Sequence, residues 1–522
     1  MKRRDFCKGL AVTLAAGAPG AALPQAGAAT ALVGRAVPDD YYTLWYRSDR
    51  CSADLRHDYY YSDSLFDHAA TEYDDKLALA TLGMAAAADS SWESDQYYWM
   101  TGEVGRAAHI RDAFAKLGFA EVQLFNYTHS LNDAPDTAAC AVARKTLVRG
   151  GRQVTIIGAF VRGSGYGAEW SGNLHAGSGS AHTGFVAAAR QLTEKIRGYV
   201  QASAKRQPLG TLKLWMGGYS RGGGVASLVA ARLPAVLPQL EKKNTFVYTF
   251  AAPASLTAAD CPDLQQDYDN NHAADGRLKK DWGISNIFNI VSSGDVIPRI
   301  LPAEWGFYRN GNDRFLPSTV IPEELQALND RSAGMEGTPI DFGRLAVAEE
   351  TDAVLRSMMD LFCDRQTYYK GYEDAMRCML QCATTRTEEE VTRGIVRDDA
   401  AVVAQLRSME LMQRFPQEKV ERCVQAASAL SRPVLEKLGS AVPLQAQQIV
   451  IPMLAVGLCF ELQPETVQLV ADFVLSTITV KGQLSGILKT VLCHFQENYI
   501  TVLEAYDPAD HGMTPYTRRE EL

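Results

Sequence analysis

Hydrophobic positions recur with two different periods along the first two thirds of the chain. Six short apolar or β-branched runs have the two-residue period of strands: 121–125, 137–145, 153–161, 212–216, 245–250 and 286–291. Three longer stretches instead repeat their apolar positions at helical spacing: 73–88, 107–117 and 184–204. Two adjacent glycines at 150–151 predict a hairpin between two of the strands. This alternation predicts an α/β fold, with a mostly parallel sheet and helices on both faces.

The pattern changes at about residue 321. Strand-like alternation nearly disappears up to residue 490, and helical stretches follow one another: 352–363, 388–396, 400–415 and 417–430. Two later apolar segments, 449–460 and 467–480, are too short for a membrane span of about 20 residues, so they predict buried helices and no stable membrane span. We therefore predict a large helical insertion or cap at residues 331–484.

One predicted strand runs directly into a helix through the pentapeptide Gly-Tyr-Ser-Arg-Gly at 218–222. Apolar residues continue at helical spacing to Leu233, and we expect Pro234 to end that helix. A Gly-x-Ser-x-Gly turn between a strand and a helix forces its serine into a strained conformation and leaves the hydroxyl exposed. The pattern therefore predicts a nucleophile at Ser220. The alternative interpretation is a structural glycine-rich turn.

Composition excludes several classes of protein. The 522 residues are 47% hydrophobic, which supplies a sizeable core and argues against a disordered chain. The formal net charge is -9, and beyond the N-terminus no Lys/Arg cluster is interleaved with aromatic residues. We therefore expect no nucleic-acid partner.

The first 28 residues predict an export signal. A basic start, Lys2-Arg3-Arg4-Asp5-Phe6-Cys7-Lys8, precedes a mildly apolar stretch and a small-residue site at 26–28. The two arginines and the weakly hydrophobic stretch resemble a twin-arginine signal. This predicts export to the periplasm or the extracellular space after cleavage. An uncleaved anchor or a chance basic start is the alternative.

Cysteine spacing gives no metal site. Apart from Cys7, nine cysteines remain, an odd set without a metal-binding spacing. Cys378 and Cys382 could share a helix face, but no His or Asp pair at ligand spacing completes a site, so we expect small buried residues. A disulfide formed after export is left open. We predict no metal and no organic cofactor.

A serine nucleophile needs a base, and the base needs a carboxylate to hold it. Asp295 is the only carboxylate in the loop that follows the strand at 286–291. In the Ser, acid, His order of α/β-hydrolases only two of the nine histidines remain, His494 and His511. His494 directly follows an apolar segment, whereas His511 lies in a polar tail, and a base must be held rigidly, which favours His494. A turn aspartate and a structural histidine are the alternatives.

A serine nucleophile also needs an oxyanion hole, a set of hydrogen-bond donors for the negative charge that develops on the tetrahedral intermediate. One predicted donor is the backbone N–H of Arg221, directly after the nucleophile. The second is Ser164, in the loop that leaves the strand at 153–161, through its backbone N–H and its hydroxyl. An ordinary glycine turn is the alternative interpretation of that loop.

Four segments together resemble one family. The first is Val161-Arg162-Gly163-Ser164 with Glu169-Trp170 and Asn173-Leu174, and the second is His182-Thr183-Gly184-Phe185. The third is the pentapeptide turn at 218–222, which we call the elbow, with Tyr248-Thr249-Phe250-Ala251-Ala252-Pro253. The fourth is residues 289–302, Asn-Ile-Val-Ser-Ser-Gly-Asp-Val-Ile-Pro-Arg-Ile-Leu-Pro. This set resembles the class 3 (fungal-type) lipases, which are α/β-hydrolases, and His494 with Glu497 and Tyr499 resembles the ending of bacterial members. Tyr219, Arg221 and Ala251 depart from the usual His, Leu and Gly.

The resemblance implies an α/β-hydrolase whose first part is 29–330 and whose C-terminal part, 485–522, brings back the catalytic histidine. It implies that Ser220 is the nucleophile, Asp295 the acid and His494 the base, with Ser164 contributing to the oxyanion hole. The expected function is an exported serine hydrolase that cleaves carboxylic esters, of the lipid (acylglycerol) type, with transient contact to a lipid interface. The alternatives are a catalytically silent lipid-binding or interaction module and a short-chain esterase or acyltransferase. The helical insertion is a candidate lid.

Overall fold

The structure is a computed structural model. It describes residues 33–96, 102–127, 136–165, 167–179, 181–257, 285–316, 322–362, 364–384, 390, 393–438, 444–468 and 486–505. The expected export signal at 1–28 and the alternative base His511 lie outside these residues. Most of the predicted helix at 467–480 and part of the one at 388–396 also lie outside them.

A seven-stranded sheet forms the centre of the molecule. The strands in the described part of the chain are β1 (Asp40–Ser48), β2 (Ala53–Tyr61), β3 (Ala120–Phe125), β4 (Cys140–Arg149), β5 (Arg152–Val161), β6 (Thr211–Tyr219), β7 (Thr245–Phe250), β8 (Leu256–Thr257), β9 (Ile287–Val291), β10 (Phe307–Tyr308) and β11 (Asn312–Phe315). The central sheet has the order β11-β9-β7-β6-β5-β4-β3. It is parallel from β5 to β11 and antiparallel from β3 to β5, so the predicted mostly parallel sheet and the β4–β5 hairpin are confirmed.

The middle strand, β6, is buried on both faces, as its apolar alternation requires. Leu214 and Met216 point to one core, and Trp215 points to the other. The Trp215 ring meets the Phe160 ring edge to face at 4.9 Å, and its indole N–H donates to Thr81 Oγ1 at 2.7 Å. Packing on both faces therefore fixes the position of β6 and of the turn at 218–222 that follows it.

Helices cover both faces of the sheet. In the described residues they are α1 (Asp75–Ala87), α2 (Trp92–Gln96), α3 (Glu103–Arg106), α4 (Ala108–Lys116), α5 (Gly167–Asn173), α6 (Thr183–Arg206), α7 (Arg221–Val236), α8 (Pro322–Gly334), α9 (Ala348–Phe362), α10 (Arg365–Gly371), α11 (Glu373–Thr384), α12 (Asp399–Ser408), α13 (Gln417–Leu438), α14 (Leu444–Cys459), α15 (Gly486–Leu492) and α16 (Gln496–Ala505). Helices α6 and α7 pack on one face, and α1 and α4 pack on the other.

The elements described between residues 322 and 459 are all helical, as the sequence predicts. They have their own core, which includes Met379, Leu406 and Val456, and Cys378 and Cys382 are buried in it. The cysteines that the structure describes are all free. In this part of the chain and in the other described ranges, no helix has the length and apolar character needed to cross a membrane. The boundaries at 331 and 484 stay predictions.

Three features differ from the predictions. Helix α7 does not end at Pro234 but runs to Val236, because a proline in the last turn removes only one backbone bond and Leu237 N–H still donates to Leu233 O at 2.8 Å. The predicted helix at 400–415 is broken at Met409, which is extended and buried. The hairpin of β1 and β2 was not predicted at all; it packs on α1 and α4.

Candidate active site

Ser220 sits at the sharp turn between β6 and α7. Its backbone has φ 54° and ψ -129°, a strained conformation for a residue with a side chain. The turn is fixed by two bonds: Ser220 N–H donates to Phe250 O at 2.8 Å, and Gly223 N–H donates to Ser220 O at 2.9 Å. A Cβ on Gly218 would lie 2.4 Å from the Gly222 carbonyl carbon, so the pentapeptide needs its first glycine for close backbone approach.

The structure brings the three predicted residues together. His494 Nε2 lies 2.9 Å from Ser220 Oγ, and His494 Nδ1 lies 2.8 Å from Asp295 Oδ2. These contacts join residues that are 274 and 199 positions apart in the chain. The imidazole thus stands between a hydroxyl and a carboxylate, the arrangement that lets a histidine take a proton from serine.

Asp295 is fully buried and makes more contacts than a triad alone needs. Its Oδ2 also accepts a hydrogen bond from the Tyr499 hydroxyl at 2.8 Å, and its Oδ1 accepts one from Ile297 N–H at 2.9 Å. Burial, with the Asp295 charge as a smaller cause, raises the pKa of Tyr499 well above its ordinary value, so the phenol remains a donor. The Ile297 contact alone fits the turn interpretation, but it occupies only one of the two oxygens.

Tyr219, which departs from the family pattern, holds the histidine backbone. Its hydroxyl donates to the His494 carbonyl oxygen at 2.7 Å, and its ring centroid lies 5.5 Å from the His494 ring. His494 N–H donates to Val491 O at 2.9 Å, in the turn that follows α15. The residue before Ser220 therefore fixes the position of the candidate base.

Asn173 joins the two predicted oxyanion contributors. Its side-chain Nδ2 donates to Ser164 Oγ at 2.8 Å, and its Oδ1 accepts from Arg221 Nη1 at 2.9 Å. Because one lone pair of the Ser164 hydroxyl is occupied in this way, its O–H is left to donate to another acceptor. The sequence motif contained Asn173, but nothing in its spacing predicted this link.

The Arg221 side chain is not a free charge at the site. It is 1% exposed, its Nη2 donates to Thr137 O at 2.8 Å, and its guanidinium lies 5.2 Å from the Phe185 ring centroid. The substitution of a leucine in the family pattern by arginine thus puts the cation under α6, held by a carbonyl and an aromatic face.

A buried histidine caps α6 beside this group. His182 Nδ1 accepts from Phe185 N–H at 3.2 Å, and its Nε2 lies 3.0 Å from Asn173 O. Burial lowers the pKa of His182 to about 3, so the ring is neutral and Nε2 carries the proton that it donates to Asn173. His182 therefore supports the backbone of the residue that contacts Ser164.

Two carboxylates hold the loop on either side of Ser164. Gly165 N–H donates to Glu169 Oε2 at 2.8 Å, and Glu169 pairs with Arg162 at 3.0 Å with both side chains fully buried. Gly163 N–H donates to Asp89 Oδ1 at 3.0 Å. The loop is thus held by charge-assisted bonds before any substrate arrives, which is the preorganisation that an oxyanion hole requires.

Asp89 also reaches the histidine segment, and sequence reasoning missed it. Its Oδ2 accepts from Gln496 Nε2 at 2.5 Å, two residues after His494. Burial raises the pKa of Asp89 to about 6, and the nearby Asp49 charge adds to that shift. The charges of Arg47 and Arg162 and the bond from Gly163 N–H oppose it. No motif marks this aspartate; it only follows the end of α1 in the sequence.

The described residues contain no group of three or more His, Cys, Asp or Glu side chains placed to hold a metal ion. The oxygens and nitrogens of the site instead contact one another and the backbone. The arrangement is suited to nucleophilic chemistry by a serine that is activated through a histidine.

Comparison with known proteins gives one family. Residues 160–305 match the model of a family described as lipase (class 3). The chain is similar to a triacylglycerol lipase whose catalytic centre is described as a serine protease triad, with 21% identity and a TM-score of 0.27 over 40% of this chain and 69% of that one. It is also similar to the Rhizomucor miehei triacylglyceride lipase, with 19% identity and a TM-score of 0.30 over 46% and 79%. A comparison with curated proteins finds no match.

A lipase from Rhizopus microsporus var. chinensis is similar at 16% identity, with a TM-score of 0.29 over 45% of this chain and 74% of that one. These structural similarities are partial, so the assignment rests on the family match. That match begins at the end of β5 and includes the Ser164 loop, the elbow at 218–222 and the Asp295 loop, which are the segments that carry the predicted motifs. Residues 160–305 are therefore similar to the class 3 lipases, a family of carboxylic ester hydrolases, over the part of the chain that carries the elbow and the Asp295 loop.

Proposed function

We propose that this protein hydrolyses lipid esters of the acylglycerol type through an acyl-enzyme formed on Ser220. One observation carries the proposal: the strained serine at the elbow has a histidine nitrogen 2.9 Å from its oxygen, and that histidine has a buried carboxylate 2.8 Å behind it. A serine hydroxyl is a weak nucleophile unless a neighbouring base removes its proton. His494 is in the position to do so.

In the first half-reaction Ser220 Oγ attacks the ester carbonyl while His494 Nε2 takes the hydroxyl proton. Asp295 holds the imidazole through Nδ1 and stabilises the imidazolium that forms. The same nitrogen then returns the proton to the departing alcohol. In the second half-reaction His494 takes a proton from water, the hydroxide attacks the acyl carbon, and the carboxylic acid leaves as Ser220 is protonated again.

The oxyanion of each tetrahedral intermediate accepts hydrogen bonds from Arg221 N–H and from Ser164. Support comes from the position of Arg221 at the first residue of α7, directly after Ser220, where backbone N–H groups point out of the N-terminal end of the helix. Support for Ser164 comes from Asn173, which supplies a donor to its oxygen and so orients the hydroxyl proton outwards. Each such donor contributes about 3–4 kcal/mol to transition-state stabilisation in comparable sites.

Two further observations support the lipid substrate and the cell location. The family description, lipase (class 3), favours a lipid ester over a small soluble one. The basic, mildly apolar N-terminus favours twin-arginine export, with the mature enzyme in the periplasm or outside the cell. The proposed organisation has a hydrolase core in two parts, 29–330 and 485–522, around an insertion at 331–484. Contact with a lipid interface is transient in this proposal.

The test is hydrolysis of a p-nitrophenyl ester series by the wild type and by Ser220→Ala, His494→Ala and His511→Ala, with fluorophosphonate labelling in parallel. We expect the first two variants to lose about 10⁴-fold or more in kcat and His511→Ala to keep wild-type activity. Ser220→Ala should also take up no label. If His511→Ala alone is inactive, His494 is not the base. If the wild type neither turns over nor labels, the protein is a silent binding module.

A second comparison addresses the substrate class. We expect the rate on an emulsified long-chain glyceride to exceed that on a dispersed short-chain ester at equal ester concentration. The reverse order would identify a short-chain esterase. Release of an acyl product onto an added alcohol, in preference to water, would identify an acyltransferase.

A further inference from the structure

Side chains of the helical insertion form hydrogen bonds with the backbone of the turn at 174–179, which follows Ser164 and α5 in the sequence. Arg365, at the first position of α10, donates from Nε to Gly177 O at 3.0 Å and from Nη2 to Gly179 O at 2.9 Å. The same Nη2 lies 3.3 Å from Ala176 O. In return, Gly177 N–H donates to Glu373 Oε2 at 2.8 Å. One arginine and one glutamate thus bind both the carbonyls and the amide of this turn.

The insertion also contacts residues next to Asn173. The Tyr368 hydroxyl donates to Leu174 O at 2.9 Å, and the Tyr368 side chain is buried in the core of the insertion. Trp170 and Leu174 pack against that core, and α11 lies along α5. The segment 167–179 is therefore packed into the insertion as well as hydrogen-bonded to it.

Glu373 is well placed for this contact. Its side chain is 2% exposed, and burial raises the pKa of its carboxyl above the ordinary value. Gly177 has φ 65°, and a Cβ on it would lie 1.9 Å from Thr183 Oγ1, so the turn that presents its N–H requires glycine. The geometry of the turn and the position of the carboxylate fit one another.

We propose that the helical insertion is a fixed clamp on residues 167–179 and that Arg365 and Glu373 are positioning residues for the oxyanion hole. The proposal rests on the proposed function, because it assigns Ser164 to the oxyanion. The clamp acts through Asn173, which ends α5 next to the turn at 174–179 and donates to Ser164 Oγ. Loosening the turn displaces Asn173, and Ser164 then loses the partner that orients its hydroxyl.

The test is a double-mutant cycle between Arg365→Ala and Ser164→Ala, followed through kcat and KM on a soluble p-nitrophenyl ester. We expect Arg365→Ala alone to lower kcat by about 10-fold with KM within about two-fold, because the loss falls on the transition state. In the Ser164→Ala background the same change should cost less than about three-fold, since the hydroxyl that it positions is already gone. Equal losses in both backgrounds, or no loss in either, would overturn the proposal.

A pair of variants at Glu373 keeps the test independent of folding. Glu373→Gln keeps an oxygen that accepts from Gly177 N–H and should retain at least about half of the wild-type kcat. Glu373→Ala removes the acceptor and should lower kcat by several-fold, again only when Ser164 is present. Identical kcat values for the two variants would contradict the role of the hydrogen bond.

The matched control is a substitution within the insertion but away from its contacts with the turn at 174–179. Arg432 pairs with Asp399 at 2.7 Å, between α13 and α12. Arg432→Ala should leave kcat unchanged, so that a loss there would assign the effect to general loosening of the insertion. Failure of the proposed function is a separate result, because it shows as absent turnover and labelling in the wild type.

Discussion

The central sheet and the helical insertion contribute to the same site in different ways. The sheet supplies two of the proposed catalytic residues: Ser220 follows β6 directly, and Asp295 follows β9 four residues after the strand ends. The insertion, in its described residues, supplies hydrogen bonds to backbone groups of 174–179. The difference shows that short local motifs can encode chemistry while long-range contacts with no motif of their own hold it in place.

The two regions also differ in how they tolerate change. Around the elbow, backbone approaches of 2.3–2.4 Å to a hypothetical Cβ on Gly218 or Gly222 leave no room for a side chain. The insertion has a core of ordinary helix packing, in which a truncated side chain leaves a cavity but no backbone clash. Substitutions near β6 should therefore act on the reaction, and those in the insertion core should act on stability.

The largest expected effect is that of Asp295→Asn. An amide in place of the carboxylate cannot stabilise the imidazolium and favours the wrong tautomer of His494, which cost about 10⁴-fold in kcat in the equivalent change of a serine protease. We expect a loss of that order at pH 7, measured with a soluble ester, and a melting temperature within a few degrees of the wild type. A loss below about ten-fold would show that His494 works without this partner.

The next effect in size is that of Ser164→Ala. Removing one oxyanion donor costs about 10²–10³-fold in kcat, or about 3–4 kcal/mol. KM should change little, because the donor acts on charge that develops in the transition state. If Ser164→Ala keeps the wild-type kcat, Ser164 is not part of the oxyanion hole. Unfolding by urea is the control, since the half-buried serine should have little effect on stability.

Leu406→Ala tests the other side of the comparison. Leu406 is fully buried in the insertion core, on a helix that packs against α13 and α14. We expect the free energy of unfolding to fall by about 2–4 kcal/mol, from lost burial and the cavity left behind. The kcat of the folded variant should stay within about two-fold of the wild type. A loss of kcat comparable to that of Ser164→Ala would mean that the insertion and the sheet are not separable in this way.

Sequence reasoning selected the three proposed catalytic residues, which the structure places in contact, because each lies in a local pattern. The elbow is defined by five consecutive residues, and the order of acid and base along the chain reduced nine histidines to two. Most strands of the sheet were predicted from the two-residue period of their side chains. In β6, for example, alternate side chains enter the two cores on opposite faces of the sheet. These features need no information about distant contacts.

What sequence reasoning missed depends on distant contacts. The β1–β2 hairpin binds the last described helix, through Ser48 with Glu497 and His57 with Glu504, pairs that are 449 and 447 positions apart. Its aromatic strands carry no glycine-rich hairpin signal that would mark them. Asp89 is equally unmarked, because its partners are the backbone amide of Gly163 and a glutamine 407 positions away. Pairing of this kind is decided by the packing of the whole fold.

Asp89→Asn gives the smallest expected effect and a distinctive pH dependence. The raised pKa of about 6 means that the folded protein holds the Asp89 proton more tightly than the unfolded chain does. The contribution of Asp89 to the free energy of unfolding is therefore complete at low pH, near the ordinary carboxyl pKa, and is lost as the pH rises through about 6. Asparagine keeps an acceptor for Gly163 N–H and does not ionise, so the variant lacks this loss.

We expect the free energy of unfolding of Asp89→Asn, relative to that of the wild type, to increase by roughly 1–3 kcal/mol between pH 4 and pH 7, so that the variant becomes relatively more stable. Urea unfolding of the variant and of the wild type at several pH values measures this difference. A relative stability that falls over the same interval would mean that the ionised carboxylate is the stabilised form. The link between the Ser164 loop and the His494 segment would then depend on the Asp89 charge, and the burial of Asp89 would be the lesser term.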